Sequence, residues 1–530
     1  MKKGISLLLA LLMMTAVLAG CGDGGSGGQT GEKVLQMRLT SALQSSDWQA
    51  TTLQNDMRIT WVDVFEGLYG LDEANGGYYN LLAKDVAASE DGLTYTITLQ
   101  DATFQNGDPL TAEDVVFSYE KAKENSRFNY VTSFINSVEA QDEKTVVMHL
   151  DYPNSAIAHT FWTVKIYSKA EYTEATAGGK EFGTTGHTAG TGPYILKGFD
   201  ATGADLEAYE NYWGGAPNIK KVRYQVIADN NAAVIAFKNG ELDYFPDVPT
   251  TEWEAVKAEA GENCQMVKAN DIHWLAVNYL SPTNNGILSN PKVREAIAWA
   301  INKEACVMAA TSGYGTPAYE YMPHEYVATA PDYTEGGFQT YDYNIEKAKQ
   351  CMLEAGYTEA DMAAGIPVGD IITYGDASTP RAKEAVVIQS NLAEIGLKAE
   401  VVVQEYAVIG PRMYSQDYDL AVFGDVGNYD FNNIRQQVHS ESVGMYLINY
   451  AHEDSPFDWQ MMEQLVADGI ATADTNERKE IYTKLWAYVM DTDTILPILH
   501  TGNGAAWSER INVPSVCPTY YHISQWSWVE

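Results

Sequence analysis

The chain has 530 residues, of which 45% are apolar and 20% are charged, so it is long and apolar enough for two or three folded domains. Its 34 basic and 71 acidic residues give a net charge of −37. Because nucleic-acid binding depends on cations that neutralise phosphates, this charge excludes nucleic acid as a partner. It also predicts a folded body that an anionic membrane surface repels.

The first residues have the features of a secretory signal. Lys2 and Lys3 precede an apolar run that ends at Leu18, which is shorter than the roughly 20 apolar residues that span a membrane. The segment from Leu18 to Cys21 reads Leu-Ala-Gly-Cys and resembles the lipobox of bacterial lipoproteins. The resemblance implies a lipoprotein signal peptide over 1–20, a lipid on Cys21 and a location on the extracytoplasmic face of the cell membrane. The alternative is an ordinary cleaved signal with an incidental cysteine.

Residues 21–33 are rich in glycine and serine and predict a flexible tether. Two motifs inside this segment match the spacings GxGxxG and GxSxG. Neither predicts a site, because both need a strand before the motif and a helix after it. No second long apolar run follows the signal, so the sequence predicts membrane attachment through the lipid alone.

The mature chain begins with strand patterns. Leu93–Leu99 and Lys144–Leu150 alternate apolar and polar residues, which predicts strands with one buried face. Between them, Thr111–Glu120 begins with Thr111 and carries Asp114 three residues later, the spacing of a capping box at the start of a helix.

Helix patterns dominate further along the chain. The predicted helices are Lys292–Met308 (with Val293, Ile297 and Ile301 on one stripe), Asn344–Gly356 and Thr475–Met490. Strand-like runs lie between them at Ala399–Val403 and Tyr418–Phe423. Mixed strands and helices without repeats predict α/β or α+β domains.

Several motifs occur in the order found in a known family and span most of the chain after the tether. They are Glu66-Gly-Leu-Tyr69, Asp91-Gly-Leu-Thr-Tyr-Thr-Ile-Thr-Leu99, FQNGDPLTAEDVVF from Phe104, Gly190-Thr-Gly-Pro-Tyr194, Asn211-Tyr-Trp-Gly-Gly-Ala-Pro217, Asn239-Gly-Glu-Leu-Asp243, Val277-Asn-Tyr279, NPKVREAI from Asn290, Glu346-Lys-Ala-Lys349, Ala355-Gly-Tyr357 and Tyr418-Asp-Leu420. Together they resemble the extracytoplasmic solute-binding proteins of ABC importers, in the peptide- and nickel-binding family.

The resemblance implies an α/β, two-lobed periplasmic-binding-protein-like fold with an extra inserted domain. The implied first lobe comprises residues 34–71, 189–270 and 499–530, the inserted domain 72–188, and the second lobe 271–498. It also implies that a peptide or other small solute closes the lobes and that the closed protein, a monomer, delivers the solute to a membrane permease. No catalysis and no cofactor are expected.

One motif departs from the family pattern. Peptide-binding members carry an aspartate after the Tyr-Asp-Leu strand that pairs with the ligand's terminal ammonium. Here Asn428 takes that position, and Asp425 stands where tryptophan is usual. Because asparagine cannot supply a charge-assisted bond, either Asp430 or Asp425 replaces the aspartate, or the ligand is not an ordinary peptide with a free amino terminus.

Aromatic residues give the remaining candidates for the cleft. Trp162, Trp253, Trp274 and Tyr429 are predicted to bind ligand by stacking and hydrogen bonding. Core packing is the alternative role for each of them.

Other functions find less support in the sequence. Histidine-glutamate pairs lack the second histidine of a zinc-protease motif, and the scattered histidines predict no metal site. The cysteines Cys264, Cys306, Cys351 and Cys517 are far apart and are predicted to be mostly buried free thiols. The rival functions are a sugar-oligomer or metal-chelate receptor of the same fold and an extracellular hydrolase.

Overall fold

The computed structural model describes residues 33–51, 53–73, 77–184, 189–426, 429–442, 448–517 and 519–530. The predicted signal peptide, Cys21, most of the tether and Asn428 lie outside these residues. Residues 34–530 form one compact unit. In the described part of the chain, every helix is too short or too polar to cross a bilayer.

Strands are distributed along the whole unit. In chain order they are β1 (Val34–Leu39), β2 (Tyr69–Asp72), β3 (Gly77–Asn80), β4 (Ala83–Ala88), β5 (Thr94–Leu99), β6 (Ile135–Ala140), β7 (Thr145–Leu150), β8 (Tyr194–Asp200), β9 (Gly203–Ala208), β10 (Lys221–Val226), β11 (Tyr244–Val248), β12 (Cys264–Lys268), β13 (Asp271–Val277), β14 (Thr316–Pro317), β15 (Ile366–Tyr374), β16 (Leu397–Gln404), β17 (Leu420–Val426), β18 (Ile495–His500), β19 (Gly502–Trp507), β20 (Ile511–Asn512) and β21 (Ser527–Trp528).

Helices connect and cover the strands. They are α1 (Gln54–Met57), α2 (Ala112–Glu124), α3 (Asn129–Thr132), α4 (Ile157–Thr163), α5 (Lys169–Ala175), α6 (Asn230–Lys238), α7 (Trp253–Ala260), α8 (Thr283–Gly286), α9 (Pro291–Ala300), α10 (Lys303–Thr311), α11 (Ile345–Glu354), α12 (Glu359–Ala364), α13 (Pro380–Glu394), α14 (Tyr406–Tyr414), α15 (Arg435–Val438), α16 (Trp459–Ala471) and α17 (Thr475–Asp491). A π-helical turn, Arg58–Val64, follows α1, and 3₁₀ turns include Ser126–Phe128 and Phe431–Ile434.

Three sheets organise the unit. The first has seven strands in the order β12-β19-β11-β1-β10-β9-β8, with β1 parallel to both β10 and β11. The second has six strands in the order β14-β18-β13-β17-β15-β16, with β13 antiparallel to β17 and β18. The third is an antiparallel sheet in the order β4-β5-β7-β6. One hydrophobic core surrounds the second sheet, and another is shared by the first and third sheets.

The chain passes twice between the first and second sheets, and the two crossings touch. β12 of the first sheet leads into β13 of the second through residues 269–270, and β18 returns to β19 through Thr501. Ala269 N donates to Thr501 O at 2.9 Å. The Asp271 carboxylate accepts from Thr501 N at 2.8 Å and from Thr501 Oγ1 at 2.6 Å. β18 pairs with β14 as far as His500, so the return to the first sheet begins at Thr501.

Most of the predicted elements are confirmed. β5, β7, α2, α11 and α17 cover the predicted segments, and Thr111 and Asp114 form the predicted capping box. The predicted helix Lys292–Met308 is instead two helices, α9 and α10. Ile301 is extended, and the Asn302 side chain accepts from Ala305 N at 2.9 Å, which starts a new helix. The four described cysteines are free thiols: Cys306 and Cys351 are buried, and Cys264 and Cys517 are half-buried.

Candidate functional site

A cavity of about 240 Å³ lies where residues from all three parts of the fold meet. The lining residues from the part around the first sheet are Met57, Trp61, Thr519 and Tyr520. Those from the segment that carries the third sheet are Arg127, Phe128, Tyr130, His159 and Trp162. Those that follow or end β17 of the second sheet are Asp425, Val426, Tyr429, Asn433 and Gln436. We call this space the cleft cavity.

A buried arginine fixes one wall of the cleft cavity. Arg58 begins the π-helical turn that carries Trp61, and such turns are frequent at functional sites. Its guanidinium forms two hydrogen bonds with Asp247, one of them Nη2 to Oδ1 at 2.9 Å. Its Nε donates to Thr519 O at 2.8 Å. The arginine therefore holds the C-terminal segment with Thr519 and Tyr520 against the wall that carries Trp61.

The only carboxylate among the described lining residues of the cleft cavity belongs to Asp425, in β17. The residue is half-buried, and its Oδ2 accepts from Tyr321 Oη at 3.2 Å and from Asn433 Nδ2 at 3.4 Å. Burial raises the pKa of this carboxyl, and the hydrogen bond from Tyr321 opposes that shift. An anionic group in such a place suits a cationic partner, since a cation offsets the cost of burying the charge.

A permanent cation lines the same cavity from another part of the fold. Arg127 lies in the 3₁₀ turn before α3, and its Nη1 donates to the carbonyls of Thr51 and, at 3.4 Å, Gln49. Its guanidinium carbon lies 5.5 Å from the centroid of the Phe128 ring, which also lines the cavity. The cleft cavity thus offers a carboxylate and a guanidinium on separate elements.

Tyr429 joins the second sheet's part of the fold to the others. Its hydroxyl donates to Glu73, whose second carboxylate oxygen accepts from Thr519 N at 3.1 Å and Tyr520 N at 2.6 Å. Its ring also lies edge-on to Tyr78, with centroids 6.4 Å apart. Through Glu73, this network connects three residues that line the cleft cavity, Tyr429, Thr519 and Tyr520.

Asp430 is engaged by an arginine of its own part of the fold. Its two carboxylate oxygens accept from Nη1 and Nη2 of Arg478, both at 2.8 Å, and both residues are buried. The same guanidinium donates from Nε to Gly469 O at 2.9 Å. Asp430 lines a smaller cavity of about 70 Å³ that shares Tyr130 and His159 with the cleft cavity. Because an internal cation already balances its charge, Asp430 is a poorer partner for a ligand ammonium than Asp425.

His159 is held neutral at the boundary of the two cavities. Its Nδ1 lies 2.9 Å from Tyr78 Oη, and its ring packs against Trp162 with centroids 5.7 Å apart. Burial lowers the pKa of this histidine to about 4 from its ordinary value of 6.5. Below pH 6.5 the unfolded chain therefore takes up a proton on this ring that the folded chain does not take up.

That difference gives a pH-dependent stability. As the pH falls from 6.5 towards 4, this histidine lowers the free energy of unfolding by about 1.4 kcal/mol per pH unit. We expect His159→Gln to reduce the pH slope of stability in this window by up to that amount, as measured by urea denaturation at pH 4.5, 5.5 and 6.5. An unchanged slope in His159→Gln would contradict the assignment.

A second cavity, of about 310 Å³, lies behind the wall formed by Trp61 and Trp162. It contains a buried lysine, Lys165, whose Nζ donates to Trp162 O at 2.6 Å and lies 4.5 Å from the Trp162 ring centroid. Burial lowers the pKa of Lys165 to about 7 and raises that of Glu66 to about 7. None of its described lining residues falls between 271 and 498, so it does not join the parts of the fold as the cleft cavity does.

Two of the predicted cleft tryptophans, Trp274 and Trp253, are not among the lining residues of the cleft cavity. Trp274, on β13, is fully buried in the core of the second sheet, with its ring 5.5 Å from Tyr321 and 5.7 Å from Phe423. Trp253, at the start of α7, is buried in a small core with Phe245. β13 is covered on both faces, and the Trp274 and Trp253 residues are only 0% and 4% exposed, so neither indole lines the cleft cavity. Asp425, Tyr429 and Trp162 do line it.

Several lining residues could not be predicted from the sequence. Arg127, Tyr130, His159 and Tyr520 lie in short turns, in a short helix or near the C-terminus, without a motif that marks them. Trp61 precedes the Glu66-Gly-Leu motif by five residues, which is the nearest signal the sequence offers.

Comparison with known families identifies one match. Residues 77–437 match the family described as "Bacterial extracellular solute-binding proteins, family 5 Middle". The glutathione-binding protein GsiB of Escherichia coli O157:H7 is 30% identical over 352 residues, which cover 64% of this chain and 63% of that protein. GsiB of Salmonella typhi is 31% identical over 354 residues with the same coverage. The matched region thus spans just under two thirds of these relatives.

Solved structures share the fold over almost the whole chain. The ABC transporter substrate-binding protein CtaP from Listeria monocytogenes superposes with a TM-score of 0.79 at 23% identity and covers 94% of this chain and 100% of its own. NikA from Brucella suis in complex with Fe(III)-EDTA superposes with a TM-score of 0.80 at 17% identity, and the match covers 94% of this chain and 100% of that chain. The oligopeptide-binding protein AppA from Bacillus subtilis in complex with a nonapeptide superposes with a TM-score of 0.72 at 21% identity. The match covers 94% of this chain and 99% of that chain. These likenesses confirm the α/β, two-lobed fold with an inserted domain.

Proposed function

Because this chain belongs to family 5 of the bacterial extracellular solute-binding proteins, we propose that it captures a short peptide-like solute in the cleft cavity and delivers it unaltered to an ABC permease. The relatives named for peptide or glutathione binding support a peptide-like ligand. The cleft cavity of about 240 Å³ is smaller than common ligand sites, which measure about 300–1,000 Å³, and this favours a short solute.

The observation that carries the proposal is the charge arrangement of the cleft cavity. Its described lining residues include one carboxylate, Asp425, and one permanent cation, Arg127, on different parts of the fold. A short peptide has an ammonium at one end and a carboxylate at the other. Asp425 would accept from the ammonium, and Arg127 would donate to the carboxylate, so one ligand would satisfy both charges.

Lobe closure would couple binding to delivery. We assign the first lobe to 34–71, 189–270 and the residues from 501, the inserted domain to 72–188 and the second lobe to 271–500. The location of each sheet's strands within these ranges supports the assignment. A ligand that contacts Asp425 on one lobe and Arg127 on the other side favours the closed state through its differential affinity. A shift from 1:99 to 99:1 needs about 5.5 kcal/mol of that preference.

Attachment to the membrane is part of the same proposal. A lipid on Cys21 and the glycine-rich tether would keep a monomeric receptor beside its permease on the extracytoplasmic face of the cell membrane. Each buried methylene of an acyl chain adds about 0.8 kcal/mol to membrane affinity.

A sugar-oligomer or metal-chelate receptor is the second candidate. The indole rings of Trp61 and Trp162 and the phenol of Tyr520 line the cleft cavity, with the rings of Trp162 and Tyr520 5.3 Å apart. Aromatic faces suit sugar rings as well as peptide side chains.

Native mass spectrometry of protein purified from rich medium would identify the carried solute. Calorimetry would then compare one tripeptide in three forms: free, N-acetylated and C-amidated. We expect Arg127→Gln to weaken the free tripeptide by roughly 10-fold or more and the C-amide much less, since the lost bonds are charge-assisted. Peptide at 100 times its dissociation constant should stabilise the protein by about 2.7 kcal/mol.

Three results would contradict the proposal. They are a co-purified oligosaccharide or metal chelate in place of a peptide, equal weakening of all three tripeptide forms by Arg127→Gln, and hydrolysis of the tripeptide by the purified chain, which would favour the rival hydrolase.

A further inference from the structure

A histidine and two glutamates come together in the loop after β14, away from the cleft cavity. One ligand atom from each of Glu320, His324 and Glu325 lies within 4.8 Å of the other two. Nδ1 of His324 is 3.1 Å from Glu320 Oε1 and 3.8 Å from Glu325 Oε2. This cluster was not predicted from the sequence, because only His324 and Glu325 are adjacent, as a histidine-glutamate pair.

The buried glutamate is incompletely satisfied. Glu320 is only 1% exposed, and its Oε2 has no hydrogen-bond partner among the described residues. A buried carboxylate oxygen without a hydrogen-bond partner is costly. A bound cation would remove that cost.

The other side of the imidazole faces a carboxylate. Nε2 of His324 lies 3.5 Å from Asp332 Oδ1, which is itself held by Thr334 N at 2.8 Å and Thr334 Oγ1 at 2.6 Å. Metal-binding histidines usually present their second ring nitrogen to such a carboxylate, which fixes the tautomer and the ring orientation. Asp332 is therefore placed to orient His324 with Nδ1 toward the glutamates.

The two carboxylate oxygens of Glu325 face different partners. Glu325 Oε1 pairs with Lys268 Nζ at 2.7 Å, while Oε2 is on the histidine side. The lysine thus offsets part of the negative charge without occupying the oxygen that faces Nδ1.

We propose that Glu320, His324 and Glu325 bind one divalent ion of the Zn²⁺ class, with Asp332 as a positioning residue. One imidazole nitrogen and two carboxylate oxygens are ligands that Zn²⁺ accepts, and water would complete the coordination. Bonds of about 2.0–2.1 Å in a tetrahedron place ligand atoms about 3.3 Å apart. The 3.1 Å distance would lengthen by about 0.2 Å, the 3.8 Å distance would shorten by about 0.5 Å, and the remaining distance, at most 4.8 Å, would shorten by no more than about 1.5 Å. This site goes beyond the proposed function and does not depend on it.

Calorimetry tests the proposal with the full chain after treatment with EDTA and dialysis. ZnCl₂ is the titrant, and Mg²⁺ is present throughout to occupy exposed acidic groups. We expect one Zn²⁺ per chain, a loss of affinity of at least 10-fold in His324→Asn and in Glu325→Gln, and a 10- to 100-fold loss in Asp332→Asn.

His439→Asn is the matched control. His439 Nδ1 lies 3.6 Å from Glu463 Oε1, a histidine-carboxylate pair without the buried, unsatisfied glutamate. The His439→Asn variant should bind Zn²⁺ with an affinity within twofold of that of the natural chain. Glu325 is exposed, so Glu325→Gln should fold normally, which a metal-free thermal melt would verify. Absence of saturable Zn²⁺ binding by the natural chain, or unchanged affinity in both His324→Asn and Glu325→Gln, would overturn the proposal.

Discussion

Asp425→Asn is expected to weaken binding of a tripeptide with a free amino terminus by about 10- to 150-fold. A hydrogen bond to a charged group contributes about 1.5–3 kcal/mol, which corresponds to that range of affinity. The asparagine keeps the shape of the side chain and its bond with Tyr321 but cannot balance an ammonium in the cleft cavity. Isothermal titration calorimetry at pH 7 measures the change.

The N-acetylated tripeptide separates a charge effect from a packing effect. It has no ammonium, so its affinity should differ by no more than a few-fold between the natural chain and Asp425→Asn. Asp417→Asn is the matched control, because Asp417 lies on the same lobe with a side chain that is 76% exposed. Equal losses for the free and the acetylated peptide would remove Asp425 from the role of ammonium ligand.

Arg478→Met is expected to lower the free energy of unfolding by about 3–5 kcal/mol, as measured by urea denaturation. The substitution leaves the Asp430 carboxylate buried without its two bonds from the guanidinium. Removal of one partner of a buried ion pair has a cost of this size because a buried charge remains uncompensated.

A second substitution tests the cause. Asp430→Asn in the Arg478→Met background removes the stranded charge, and we expect it to restore at least about half of the lost stability. Lys169→Met is the control, since Lys169 pairs with Glu113 on the surface and such pairs contribute about 0–1 kcal/mol. If Arg478→Met is no more destabilising than Lys169→Met, the ion pair between Arg478 and Asp430 does not stabilise the fold.

Local patterns were sufficient to predict the elements far from the cleft. The alternation in Thr94–Leu99 and the capping box at Thr111 each depend on neighbours in sequence, and both are present in the structure. The helix predicted over Lys292–Met308 failed at one residue. Its apolar stripe continues through Ile301, but the cap formed by Asn302 competes with helix continuation, and the spacing of apolar residues does not reveal which prevails.

Residues of the cleft cavity were harder to predict, because their roles depend on distant partners. Asp425 and Asp430 were equivalent candidates in the sequence, and Arg478, 48 residues beyond Asp430, distinguishes them. Trp274 and Trp162 are both aromatic residues in apolar surroundings. The three-dimensional structure is needed to show that both faces of β13, which carries Trp274, are covered, whereas α4, which carries Trp162, borders a cavity.

Contact between the two crossings has a consequence for how the protein would move. We expect these two adjacent segments, joined at Ala269, Asp271 and Thr501, to act together as one hinge axis for the proposed lobes. Displacement then increases in proportion to distance from that axis. Two spectroscopic probes beside Thr501 should keep almost the same separation when solute is added. Two probes far from Thr501, one on each proposed lobe, should show the largest change in separation.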